Sequence, residues 1–325
     1  MDGSNSPVRS RVITFFSNYK PLVLAYIIMI ALLAIAELTV PGYLSISQAS
    51  NLMRQISFLA IVCIGQAYVI ISGGIDLSIA SVINLSNIVA AALMAGRNEN
   101  VLVACAAVFG VGLLVGAING LGVHYLKIPP LIMTLAMSSV VQGFAFIYSR
   151  GAPKGAAAPV IRQLATGRLF DVVSVPFIIF IVLAAVFIII LHFTTMGRSI
   201  YAVGANTITA KNSGVNVVRV RLGVYMVSGF MCSLVGLLLI GYTGTSFLNT
   251  GNQFTMNSIT AVVIGGVSVV GGVGSYVGVI AGAVIMTVIL NLLTVVRIPE
   301  FGRLLAQGLI LLFILLLYGR EKKKR

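Results

Sequence analysis

The sequence predicts an all-α, polytopic membrane protein of about ten spans. Three observations predict it. Of 325 residues, 59% are hydrophobic and 9% are charged, where a soluble domain carries roughly 25% charged residues. Apolar runs such as 177–191 and 304–318 are continuous rather than alternating. Unpaired backbone groups in hydrocarbon cost several kcal/mol each, so only helices and closed barrels span, and barrel strands alternate apolar with polar residues.

Allowing about 20 apolar residues per span places candidates at 21–40, 52–72, 75–95, 101–123, 128–149, 174–195, 222–243, 257–272, 275–296 and 302–319. Residues 1–20 form a polar, basic tail with no cleavable signal pattern, so the run after it reads as the first span. The glycine pairs Gly73-Gly74 and Gly265-Gly266 mark spans that break or re-enter. Gly110, Gly112, Gly116 and Gly120 recur on one helix and suit close packing on a neighbour.

Orientation follows from the excess of Lys and Arg in cytoplasmic loops. Arg9, Arg11 and Lys20 put the N-terminus inside, and the 320–325 run of Arg320, Lys322, Lys323, Lys324 and Arg325 puts the C-terminus there. An even span count satisfies both. Two basic segments, 150–171 and 196–221, flank one span and must face opposite sides. Counting back from the C-terminus makes 196–221 cytoplasmic and 150–173 external, against the charge rule. The expected organisation is one membrane domain, 21–319, between two cytoplasmic tails.

The net charge of +14 sits at span ends and tails rather than on one folded face. It predicts contact with anionic membrane lipid and excludes a nucleic-acid surface. Cys63, Cys105, Cys232, His124 and His192 show no metal spacing. No P-loop pattern occurs, so ATP-driven transport would need another polypeptide. Neither paired carboxylates nor a Ser/His/Asp set supports an embedded enzyme.

Asp76, in the octet Ile71–Ser78, is ionisable within an apolar region. A charge near the bilayer centre costs a few kcal/mol or more. Two roles fit: a polar element at a broken helix beside a transport path, or a cap for the free N–H groups opening the next helix. An ion-coupled carrier would use Asp76, with Glu37 near a span end, to bind protons or cations.

This octet resembles the Gly-Gly-Ile-Asp-Leu-Ser hallmark of permease subunits of ribose-type sugar ABC importers. Gly197-Arg-Ser-Ile-Tyr-Ala-Val-Gly-Ala-Asn206, with Ser213-Gly214-Val215, is similar to that family's cytoplasmic loop. Ala261-Val-Val-Ile-Gly-Gly266, with Gly271-Gly-Val-Gly-Ser275, matches a third motif. Order and spacing fit from about residue 45 to 318.

The resemblance implies a bacterial inner-membrane importer. Two permease subunits, identical or different, would enclose the path. Two cytoplasmic ATPase copies would bind ATP and Mg, and an extracytoplasmic binding protein would deliver a monosaccharide. This chain would bind no cofactor and catalyse nothing. Gly197, Arg198, Tyr201, Gly204, Asn206, Ala210, Ser213 and Gly214 would form the ATPase-coupling loop, with Ala210 and Gly214 small enough for close approach. Gly73, Gly74, Asp76, Ser78, Gly265 and Gly266 would form the helix-break motifs. The sequence departs from the pattern at Thr207-Ile-Thr-Ala-Lys211, and at Thr255 and Asn257, where two carboxylates are usual. A heterodimer therefore stays open, as does a nucleoside, branched-chain amino acid or signalling-sugar cargo.

Asn84, Asn87, Asn119, Thr134, Ser138 and Gln142, with Ser139 and Asn291, are neutral hydrogen-bonding groups inside spans. They are candidates for lining a translocation path. The competing reading is interhelical hydrogen bonding, worth about 0.6 kcal/mol per bond.

Overall fold

The computed structural model describes the backbone of residues 7–322 and the side chains of 22–312. Thirteen α-helices carry the described chain, with one 3-10 turn at Asn98–Asn100 and one two-stranded hairpin. Among the described residues, seven helices are long and apolar enough to cross hydrocarbon. They lie in α1 (Pro7–Thr39), α2 (Ile46–Ile71), α4 (Val101–Tyr125), α5 (Pro130–Ser149), α7 (Val175–Phe193), α10 (Val217–Thr243) and α12 (Tyr276–Val295). The other three expected spans fall on α3 (Ile79–Met94), α11 (Asn252–Ile264) and α13 (Glu300–Lys322).

Helices α3 and α11 have 16 and 13 residues. At 1.5 Å per residue they reach about 24 and 20 Å, short of a hydrocarbon core of about 30 Å. The cause is the same at both glycine pairs. After α2, Gly73 takes φ +86°, its N–H bonds Ile70 O, and the Gly74 N–H bonds Val69 O. After α11, Gly266 takes φ +86°, its N–H bonds Val263 O, and the Val267 N–H bonds Val262 O. Both are left-handed helix stops that satisfy otherwise orphaned carbonyls. Residues 72–78 and 265–275 are therefore non-helical, which corrects the spans expected at 75–95 and 257–272.

Other boundaries move as well: α1 starts at Pro7, within the stretch expected to be a tail, and α11 starts at Asn252, five residues before the expected 257. Helix α2 begins six residues before the expected 52, because polar Ser50, Asn51, Arg54 and Gln55 lie inside it. Helix α10 begins at Val217, capped by the Asn216 side chain accepting from the Arg219 N–H at 3.0 Å. Arg219 and Arg221, expected in a loop, sit in its first turns. The segment 196–221 also contains α8 (Thr195–Ala205) and α9 (Thr207–Asn212). The segment 150–173 contains α6 (Pro159–Thr166) and most of the hairpin of β1 (Arg168–Leu169) and β2 (Val173–Ser174).

The core is centred on α2 and α10. Helix α4 meets α10 along a seam of small residues. A Cβ on Gly112 would overlap the Gly229 backbone, and one on Gly229 would overlap the Gly112 carbonyl. Gly116 and Gly120 abut the backbones of Tyr225, Met226 and Leu222. Gly110 has open space beside it and takes no part. Polarity is inverted relative to a soluble protein: Gln66, Asn84 and Asn119 are fully buried, while Leu102 and Ile147 are 81% and 76% exposed. That arrangement suits a lipid solvent.

The two ends of the bundle differ. At one end the Gly96 N–H bonds Ala156 O, the Ala157 N–H bonds Gly244 O, and the Arg54 guanidinium reaches Thr166 O. Thus 150–173 roofs α2, α3 and α10 there. At the other end lie α8, α9, both helix breaks and the turn at 126–129.

Candidate functional site

Residues 72–78 are held from three sides. The Asp76 carboxylate is 2% exposed. Its Oδ1 accepts from Ser78 N–H at 2.8 Å and Ser78 Oγ at 2.6 Å. Its Oδ2 accepts from Ser228 Oγ of α10 at 2.7 Å. Asn119 of α4 donates to Ser78 Oγ at 3.0 Å. Thr134 of α5 accepts from the Leu77 N–H and donates to Ile75 O, both at 3.0 Å. Asp76 thus pins the break to α10. The N-cap position of α3 belongs to Ser78, and the Ala80 N–H is met from outside by Thr255 Oγ1 at 3.1 Å. Asp76 stands at a helix break, as one sequence reading has it, but it is sealed in the interior, and it bonds the turn ahead of α3 rather than the first N–H groups of that helix.

The second break lies against the first. The Gly272 N–H bonds Ile71 O at 2.8 Å, and a Cβ on Gly271 would stand 2.9 Å from Gly73 Cα. Beyond it, Ser275 caps α12 by accepting from the Val277 N–H at 3.3 Å. Its hydroxyl also meets His192 Nε2 at 3.1 Å.

Helix α8 enters this junction end-on. Gly197 lies so close to Leu191 O that a Cβ there would overlap it, which lets α8 reverse tightly off α7. Thr194 caps α8 and Asn206 caps α9, the latter accepting from the Ile208 and Thr209 N–H groups at 3.0 Å each. At the end of α8, a Cβ on Gly204 would overlap Ile71 O and stand 2.7 Å from Gly272 N. Tyr201 donates to Gly274 O at 2.6 Å. Burial pushes its phenol up to about 12, so the donor persists across physiological pH.

The segment 196–221 therefore has an inner and an outer face. Gly204 and Tyr201 face the breaks. Arg198, Asn206, Ser213 and Gly214 are exposed. Ala210 is buried within the chain, which corrects its expected place on a docking face. Gly214, at φ +83°, is another left-handed stop, ending α9 with the Val215 N–H on Ala210 O. The exposed apolar residue is Ile208, at 74%. Sequence reasoning missed it, although an isoleucine on a polar six-residue helix was a signal.

The path candidates separate. Asn84 of α3 donates to Gln142 at 3.0 Å and Asn252 at 3.1 Å, and accepts from the Gly251 N–H at 2.7 Å. Asn87 accepts from the Phe247 N–H at 3.2 Å. With Asn119 and Thr134 at the first break, these residues tie helices together. Ser138 is half-buried, and Gln142 is half-buried with a bond to Leu248 O.

Other polar side chains gather elsewhere. A cleft of about 270 Å³ at the end opposite the breaks is lined by Gln55, Tyr242, Gln253, Asn257 and Thr287 among apolar residues. Asn257 accepts from Gln307 of α13. Gln55, Gln253 and Thr287 were not singled out from the sequence, because each is an isolated polar residue in its own segment.

A family model described as the permease component of the branched-chain amino acid transport system matches residues 48–315, which include both breaks, segment 196–221 and this cleft. The chain belongs to this family. The permease is 31% identical, over 91% of its length, to the ribose import permease protein of Escherichia coli K12, covering 93% of that protein. It is 32% identical, again over 91%, to the galactose/methyl galactoside import permease protein of the same strain, covering 95% of it. A ribose import permease protein of Haemophilus influenzae is 32% identical over 90% of this permease. No solved structure matches it.

Proposed function

We propose that this permease forms half of the membrane path of an ATP-driven importer and that its cargo is a monosaccharide. The relatives named above support the sugar. Two copies, or this chain with a related one, enclose the path. A cytoplasmic ATPase binds ATP and Mg, and an extracytoplasmic binding protein loads the cargo. The setting is a bacterial inner membrane. The end bearing the coupling segment is cytoplasmic, because Lys and Arg stand ten to eight in its favour within the described backbone. The segment 150–173 is external, and 21–319 acts as one domain between cytoplasmic tails.

One observation carries the mechanism: Gly204, at the tip of α8, touches both helix breaks through backbone atoms. A push on α8 and α9 by an ATPase then reaches α2–α3 and α11–α12 together. Thr134 extends the movement to α5, where Ser138 and Gln142 face the path. The cleft around Gln55 and Asn257 supplies neutral hydroxyl and amide partners that hold a sugar and let it go.

Proteoliposomes holding this permease, its ATPase and its binding protein test the reading. Uptake of labelled ribose or galactose should need ATP and all three components. Uptake that survives ATPase inhibition and stops with an uncoupler would overturn it.

A further inference from the structure

At the coupling end, a second cavity of about 610 Å³ opens between the α4–α5 turn and the start of α10. Lys127, Lys211 and Arg221 line it, with His124. Arg221 is anchored by donating to Val123 O at 3.2 Å. No carboxylate lines the pocket among the described residues. Four acids, Glu37, Glu99, Asp171 and Glu300, belong to the opposite end, and Asp76 is sealed inside. Lys127 is held at φ +52°. A lysine in that region costs roughly 1 kcal/mol or more and persists where its surroundings fix it.

The other wall is apolar, formed by Ile128, Val217 and Val218 among others. Leu126 and Ile132 beside it are 68% and 60% exposed. The pocket also stands at the last turn of α4 and the first turn of α5, the ends of two helices long and apolar enough to cross hydrocarbon. A free anion, or a carboxylate of a docked protein, would satisfy the cations and leave the apolar wall uncovered. An amphiphile with an anionic head covers both.

We propose that this pocket holds the phosphate of an anionic phospholipid, with the glycerol and upper acyl chain against the apolar wall. The lipid bridges Lys127 of the α4–α5 turn and Lys211 of the coupling segment. It thereby braces α9 against the bundle. The inference rests on the pocket and not on the cargo.

The test is native mass spectrometry of the purified full chain with equimolar phosphatidylglycerol and phosphatidylcholine. Wild type should retain phosphatidylglycerol preferentially. The K127Q/K211Q variant should lose about thirtyfold of that preference, as expected for two cations near an anionic lipid. Both lysines are exposed, so the variant should fold, which circular dichroism checks. R150Q/R162Q, at the far end, should retain the preference. Equal retention by K127Q/K211Q and wild type would overturn the site. So would displacement of the lipid by millimolar inorganic phosphate, which identifies a soluble-anion site. Protection of Lys127 and Lys211 from acetylation only when the ATPase is added would assign the pocket to a protein contact instead.

Discussion

Gly204 and Gly272 meet through their backbones, 68 positions apart in the chain, where a Cβ on Gly204 would stand 2.7 Å from the Gly272 nitrogen and overlap Ile71 O. There is no flexible side chain in the contact to absorb a displacement.

Gly204→Ala should force the end of α8 away from both breaks. Overpacking of this kind costs about 1–3 kcal/mol. Sugar uptake should fall about tenfold or more while the ATPase still co-purifies. Gly110→Ala, with open space at the site, should leave both unchanged. Uptake by Gly204→Ala at the wild-type rate would remove the junction from the mechanism.

Asp76→Asn should be milder than Asp76→Ala. An asparagine oxygen still accepts from Ser78, and its amide can donate to the Ser228 hydroxyl. Alanine loses all three bonds to the carboxylate, at about 1–3 kcal/mol for the groups left unpaired. Thermal unfolding in detergent should rank wild type, then Asp76→Asn, then Asp76→Ala, and uptake should follow. A carrier that uses Asp76 to bind its coupling ion would instead lose all uptake in Asp76→Asn at unchanged stability.

Ile208→Ala should weaken ATPase docking. Burying an exposed isoleucine at an interface is worth about 1.5–3 kcal/mol, so affinity measured by titration in detergent should drop about tenfold. Ala210→Leu should act differently, lowering the unfolding temperature, because Ala210 is packed within the chain.

A membrane-impermeant amine reagent applied to spheroplasts should label Lys154 and spare Lys211. The reverse pattern would invert the orientation and move the coupling segment out of reach of a cytoplasmic ATPase.

Tyr201→Phe removes the bond to Gly274 O, a loss of about 1 kcal/mol. Folding raises the phenol to about 12 from an ordinary value near 10. Its contribution is therefore complete below pH 10 and fades as pH rises toward 12. Between pH 6 and 9 the ratio of Tyr201→Phe to wild-type uptake should stay constant.

The helical class and the broken spans were legible because their causes are local. Long apolar runs and left-handed glycine stops act within a few residues. The start of α2 was not legible, since Arg54 and its polar neighbours lower the hydropathy of a helix whose roof comes from Thr166, 112 positions away. For Asn84 and Asn87 singly the sequence favours interhelical ties over the path, but which members of the polar group are ties only their partners decide. The glycine junction left no trace of pairing in the sequence: residues without side chains show that something comes close, and not what.

The reciprocal Gly112–Gly229 contact joins the halves of the chain on either side of segment 150–173 through backbone atoms. With backbone against backbone along that seam, α4 and α10 behave as one keel. Whatever swings to admit a solute has to be drawn from the helices hinged around it, and engineering that loosens the keel should damage the whole molecule before it alters selectivity.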